Sequence, residues 1–382
     1  MTDMVFKLDP EIIAGEDTLN RAGAVCAAIG KRALIVTEKA LYSNRGIERL
    51  TAILADSGIE AILYDETPAQ AAGNVAESAA ELARGGRCSA VIALGGLKTQ
   101  AIGRAAAIIA PSRLTACDFL DGAPAPEPFL PYIAIPTTGR DPFLFTNYFI
   151  LADPRDRSVK QVKSPPGLCR AALFDGNLSE GLSNTVAAAV AFDGFSVAVE
   201  AYCSNRSRFA AEPLLEQAIS RYARLIDSAA EAQAGESRSQ DLIQAGVLMA
   251  LGAAISSPGI GAALSYALNG RFPASKSWCS TVLLPRILER LAAARPEKIA
   301  RVAALMGEAA AGLSTAEAAA LAAGGIRRRM EALQVPSRLR DFDISLDRLV
   351  PVAETARNLE FAAASPWTVT AEDAYSLLKQ AY

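Results

Sequence analysis

Histidine is missing altogether from this chain of 382 residues. Neutral imidazole is a favoured ligand of iron and zinc, and it is the commonest proton donor and acceptor near neutral pH. Neither use is open to this protein. Cysteine is scarce and scattered singly, at positions 26, 88, 117, 169, 203 and 279. With no CxxC pair, neither a zinc knuckle nor a redox dithiol is indicated, and reduced thiols in a cytoplasmic protein fit the pattern. Long apolar runs are absent too. Stretches such as Val186–Phe192 fall far short of the roughly 20 residues that span a bilayer. No basic region leads into an apolar segment at the N-terminus, so no signal peptide is expected. Charge of one sign is not in excess: 38 Lys and Arg stand against 41 Asp and Glu, a formal net charge of -3. That balance argues against a nucleic-acid partner, which usually wants a concentrated basic face. The one dense cluster, Arg327-Arg328-Arg329, reads as a helix face.

What is present is apolar residue, 51% of the chain, enough to bury substantial cores at a length that suggests roughly two domains. The first part alternates β-rich runs with helical stretches. The runs are Arg32–Thr37, Ala61–Tyr64, Ala90–Leu94 and Tyr132–Ile135; helical spacing predicts helices around 40–56, 68–85 and 99–110. Such alternation implies a parallel sheet covered by helices, with ligands at the carboxyl ends of its strands. Tyr148–Leu151, the turn Asp153–Asp156 and Ser158–Lys163 read as a hairpin. Beyond Asp175 the composition turns wholly helical, over about 180–203, 209–232, 239–256, 280–294, 297–310, 315–333 and 371–380. We therefore expect an α/β domain over 1–178 with a Rossmann-like parallel sheet, and an all-α domain over 179–382.

Leu94-Gly95-Gly96-Leu97-Lys98-Thr99 follows a strand and opens a helix. Helix N-terminal N–H groups favour anions, and glycine lets a phosphate approach the backbone. A tight strand-to-helix turn uses glycine for steric reasons alone, so both readings stand.

Asp193-Gly-Phe-Ser-Val197-Ala-Val-Glu200-Ala-Tyr202 resembles the signature of the iron-dependent alcohol dehydrogenases, in which an Asp is followed four residues later by a His, then Glu and Tyr. Ala134-Ile-Pro136-Thr137-Thr138 resembles a second family motif, and Val282-Leu-Leu-Pro285 an apolar run ending in Pro. The likeness covers nearly the whole chain. It implies the dehydroquinate synthase-like architecture and an NAD(P)-dependent oxidoreductase acting on a small carbonyl or alcohol substrate across the cleft between two domains. It implies Gly95, Gly96, Thr137 and Thr138 as cofactor-binding residues; Lys98 stands where the family carries a Ser and offers a charge to the phosphate instead. Glu38 falls where the family carries an Asp reaching the adenosine ribose, which favours NAD over NADP. A solvated first-turn acid is the other reading of Glu38.

The departures concentrate at the loops that would touch cofactor and metal. The third loop glycine is Leu97, and the family's Asp and Lys further on are Ala101 and Arg104. Of the four metal ligands the resemblance maps onto this chain, Asp193 alone remains; the others are Val197, Ala262 and Lys276. A further family His near the nicotinamide becomes Tyr266. One carboxylate cannot hold Fe(II) or Zn(II), so no catalytic metal is expected. The expectation is a metal-free reductase site of Lys276, Tyr266 and Asp193, or else a structural ion pair left by a decayed site. Lys98, Arg140 and Lys276 hint at an anionic group on the substrate. The rival is a non-catalytic relative that kept the fold. Like its relatives the protein is expected to be a homo-oligomer, with no nucleic-acid or membrane partner.

Overall fold

The computed structural model describes residues 6–68, 70–125, 127–180, 182–230 and 236–382. Two compact units divide the chain, one of 1–156 with 160–181, the other of 157–159 with 182–382.

In the first unit the strands are β1 (Glu11–Gly15), β2 (Arg32–Val36), β3 (Glu60–Tyr64), β4 (Ala90–Gly95), β5 (Tyr132–Pro136), β6 (Tyr148–Ala152), β7 (Val159–Lys163), which reaches into the second unit, and β8 (Cys169–Asp175). The helices are α1 (Ala22–Ala27), α2 (Gly46–Asp56), α3 (Gly73–Gly85), α4 (Leu97–Ile109) and α5 (Ala116–Leu120). Six strands pair in the order β1-β8-β5-β4-β2-β3, every neighbour parallel. A parallel sheet is covered on both faces, so its strands are apolar throughout rather than alternating. All of β4 and β5 is buried accordingly. Each of Val91, Ile92 and Leu94 is fully buried, which contributes about 1.5–3 kcal/mol per side chain. After β3 the chain returns to the other side of β2 to form β4. The strand order therefore reverses between β2 and β4, the place where open α/β sheets bind ligands. β6 and β7 form a separate two-stranded sheet, as the hairpin reading expected.

The second unit is helical: α6 (Asn184–Cys203), α7 (Glu212–Ala230), α8 (Glu236–Ile255), α9 (Ile260–Arg271), α10 (Lys276–Ala294), α11 (Pro296–Leu305), α12 (Thr315–Ala332), α13 (Val350–Arg357) and α14 (Ala371–Gln380). At its centre α6 is buried without interruption from Ala187 to Cys203. It is long and apolar enough to cross a membrane by composition, yet 94% of that apolar window lies inside the fold. A core helix surrounded by helices is apolar on every side for the same reason. On α12 the Arg327–Arg329 run is a paired surface, with Arg327 on Glu289, Arg328 on Glu308, and Arg329 on Asp227 and Glu308.

Several elements differ from the sequence expectation. The stretch 40–56 is a 3-10 turn at Lys39–Tyr42 followed by α2, because Arg45 turns the chain with a φ of 58°. The strand β1 and the helices α1, α5, α9 and α13 were not foreseen. α10 begins at Lys276 rather than 280, which sets a candidate site residue at a helix start.

Candidate active site

In the first unit, three adjacent strands bring the predicted cofactor residues together at their carboxyl ends. Glu38 follows β2, Gly95 and Gly96 close β4, and Thr137 and Thr138 follow β5. Glu38 accepts a hydrogen bond from the Gly96 N–H at 3.0 Å and pairs with the Lys98 ammonium at 3.2 Å. Thr137 donates its N–H to the Gly95 carbonyl, and its own carbonyl accepts from the Ser179 hydroxyl at 2.6 Å. The side chain of Thr138 lies 3.5 Å from where a Cβ on Gly96 would stand.

The two glycines do different work. Gly95 has a φ of +157°, and a Cβ there would meet Thr99 at 2.6 Å; its bareness is used up by the fold's own packing. A Cβ on Gly96 would meet only ordinary contacts with Glu38 and Thr138, so local packing leaves that face of the loop open. The hydroxyls of Thr37 and Thr99 are buried with no hydrogen-bond partner among the described residues.

Arg104, which stands at the family's lysine position, turns inward instead. It is 2% exposed, donates to the carbonyls of Phe143 and Tyr148, pairs with Asp141 and lies over the Tyr132 ring. Asp141 thus holds Arg104 and the Phe143 N–H, which ties the loop after β5 to α4.

In the second unit the structure brings Asp193, Lys276 and Tyr266 together. Asp193 sits on α6, Tyr266 on α9 and Lys276 at the first position of α10. The ammonium lies 2.6 Å from Asp193 Oδ1 and 4.7 Å from the centre of the Tyr266 ring. The lysine side chain is 3% exposed and the aspartate fully buried. Tyr266 stands edge-on to Phe361, and the Ser277 hydroxyl faces the other Asp193 oxygen at 3.5 Å. A cation at a helix N-terminus opposes the helix dipole; the carboxylate and the ring face offset that cost. Cys279, one turn into α10, is no rival nucleophile, because burial and then the Asp193 charge push its thiol up to about 12.

Sequence reasoning passed over Glu200, although it stands in the quoted signature. It lies two turns beyond Asp193 on α6 and accepts from the N–H groups of Gly261 and Ala262 at 3.0 and 2.9 Å. Burial pushes its carboxyl up to about 7, against the opposing pull of the Ala262, Gly261 and Gly259 amides and of Lys276. The cue was present: a Glu inside a buried, mostly apolar helix must be answered by donors.

Residues 9–176 match the family model described as iron-containing alcohol dehydrogenase, and residues 187–382 match that of the Fe-containing alcohol dehydrogenase family, C-terminal. The chain belongs to the iron-containing alcohol dehydrogenase family. It is 24% identical over 371 residues to a 1,3-propanediol dehydrogenase of Citrobacter freundii, covering 96% of each chain. To a lactaldehyde reductase of Escherichia coli (strain K12) it is 23% identical over 358 residues, 92% of each. Its fold superposes on the crystal structure of a 1,3-propanediol oxidoreductase with a TM-score of 0.91 at 24% identity over the whole of both chains. A sulfoacetaldehyde reductase from Bifidobacterium kashiwanohense, solved in complex with NAD+, gives 0.84 at 17% identity over 100% of this chain and 99% of that one. Iron-containing alcohol dehydrogenase is thus the frame in which both clusters are read.

The family name implies iron, and the residues here do not fit it. The four mapped positions present one carboxylate, two aliphatic side chains, Val197 and Ala262, and an ammonium. Among the described residues no three His, Cys, Asp or Glu gather where they could hold a metal ion. A dication beside Asp193 would also stand against the ammonium 2.6 Å from that carboxylate.

Proposed function

We propose that this chain is an NAD(P)-dependent oxidoreductase that reduces a small aldehyde or ketone, or oxidises the matching alcohol, without a metal. The single observation that carries the reading is the buried ammonium of Lys276, held by Asp193 beneath the ring of Tyr266. A fixed cation in a water-poor site polarises a carbonyl as a metal does, though more weakly. In this reading Asp193 keeps Lys276 charged and in place. Lys276 stabilises negative charge growing on the substrate oxygen, and the Tyr266 hydroxyl delivers the proton to it. A bound nicotinamide supplies or accepts the hydride. Glu38, Gly95, Gly96, Lys98, Thr137 and Thr138 would hold that cofactor; the Glu38 carboxylate repels a 2′-phosphate, which favours NAD. Lys98 and Lys276 are each answered by a carboxylate, and the substrate is read as a small carbonyl or alcohol, neutral or anionic. We take residues 1–178 as the dinucleotide-binding part and 179–382 as the part that carries the chemistry. The working protein is read as a cytoplasmic homo-oligomer with no nucleic-acid or membrane partner.

One observation favours a second reading, a relative that no longer binds cofactor. Glu38 and Lys98 close over the Gly96 N–H, so the chain's own side chains occupy the turn where a phosphate would be held. Thermal-shift and fluorescence titrations with NADH and NADPH separate the two. Saturable NADH binding, with turnover of a small aldehyde that falls in Lys276→Met and Tyr266→Phe, supports the oxidoreductase. No binding at millimolar cofactor supports the second reading.

A further inference from the structure

We propose that Glu200 is a positioning residue: by clasping the first turn of α9 it sets where the Tyr266 ring stands against Lys276. The inference rests on the reading of Lys276 and Tyr266 as the reacting pair and adds what holds them in register. α9 begins at Ile260 with no side-chain cap on its N-cap residue, Gly259. Its leading amides are satisfied from elsewhere: Ser365 Oγ accepts from Ile260, and the two Glu200 oxygens accept one each from Gly261 and Ala262. The helix dipole favours an anion on that turn while burial pushes the carboxyl up to about 7, so the clasp on both oxygens belongs to pH above about 7, where the variants are compared; no donor besides backbone amides is bonded to Glu200 in these contacts.

The turn is shaped for the carboxylate. A Cβ on Gly259 would come within 2.7 Å of one Glu200 oxygen, and a Cβ on Gly261 within 2.4 Å of the other. Both glycines have ordinary φ values, so their role is clearance and not an unusual backbone conformation. Residue 266 lies one to two turns beyond the clasp on the same helix, and a rigid helix carries a displacement at its first turn to that ring. The opposite end of the clasp is anchored just as firmly. Asp193 and Glu200 are seven residues apart on α6, hence on one face two turns apart; one holds Lys276, the other holds α9. A single buried helix therefore fixes both the ammonium and the ring that it faces.

A bare helix cap and a positioning residue differ in what they move, and Tyr266 provides the readout. The full chain is made with ring-13C-tyrosine, the Tyr266 signal being assigned by its loss in Tyr266→Phe. Asp193→Asn/Lys276→Met, which removes both charges together, marks where that signal goes when no ammonium faces the ring. Glu200→Gln keeps the size but presents one acceptor and one donor, so one of the two amides loses its partner. We expect exchange of whichever amide, Gly261 or Ala262, loses its acceptor to quicken by roughly tenfold or more, and the Tyr266 signal to move toward its position in the double variant. Glu200→Asp, too short to reach both amides, is expected to shift the signal the same way and serves if the Gln variant does not fold. Unchanged amide exchange would overturn the inference. So would faster exchange or a lower melting temperature with the Tyr266 signal left at its wild-type position, since Glu200 would then be a cap and nothing more. Unaltered turnover in Lys276→Met would sink the reacting-pair reading while leaving the Glu200 result to stand by itself.

Discussion

The two candidate clusters have the same charge plan, a lysine against a carboxylate, in opposite surroundings. Beyond the carboxyl ends of the strands Lys98 and Glu38 are 31% and 20% exposed; in the helical unit Lys276 and Asp193 are 3% and 0% exposed. Water screens the first pair, leaving it worth about 0–1 kcal/mol and free to part. The second is cut off from water, and removing one partner strands a buried charge. A pair that opens cheaply suits a site that must admit a large anionic ligand. A pair that does not open suits a group whose charge must stay put while chemistry happens beside it.

The contrast is broken most forcefully at Lys276. Lys276→Met is expected to cost about 3–5 kcal/mol of stability by denaturant titration, and Asp193→Asn/Lys276→Met to recover part of that loss. If the single variant is as stable as wild type, the pair is not isolated from water as described.

Glu200 sharpens the comparison through pH. Its folded value of about 7 lies above the ordinary 4.5, so the folded state binds its proton more tightly than the unfolded chain does. The stabilising contribution is therefore whole below about 4.5 and is lost as pH rises through about 7. The expected fall, roughly 3 kcal/mol across that window, is read from denaturant midpoints and vanishes in Glu200→Gln. A flat profile in wild type would mean that its amide partners hold the carboxylate ionised throughout.

Tyr266→Phe keeps the ring under the ammonium and removes only the hydroxyl. Stability is expected to change by less than about 1 kcal/mol, while turnover of a small aldehyde falls about a hundredfold; equal losses in both would make Tyr266 a packing residue. The smallest effect belongs to Lys98→Met, at most about 1 kcal/mol in stability. A larger loss would show that the strand-end pair is as structural as the helical one.

The same contrast decides what could be read from sequence. The strands β2, β4 and β5 are unbroken apolar runs, legible because a covered parallel sheet needs nothing else. α9 was missed because Ile260–Arg271 is small and apolar on every side, and a helix buried all round has no periodic face. β1 is half exposed at a sheet edge, too faint for a pattern of five residues. Asp193, Lys276 and Tyr266 could be aligned one by one from the family's motifs, but the ammonium's place over the ring follows from where α10 starts. Glu200 was visible as one of two acids in an apolar helix, while its partners lie some 61 residues on. Arg104 could be aligned with the family's lysine, but that it is a buried brace follows from a pocket built from the carbonyls of a distant loop.

The most direct measurement is NADH-dependent reduction of a small aldehyde by chelator-treated protein, wild type beside Lys276→Met. The account predicts turnover that survives the chelator and drops at least about a hundredfold in the variant. Turnover that the chelator abolishes and iron or zinc restores, or a Lys276→Met rate equal to wild type, would contradict it.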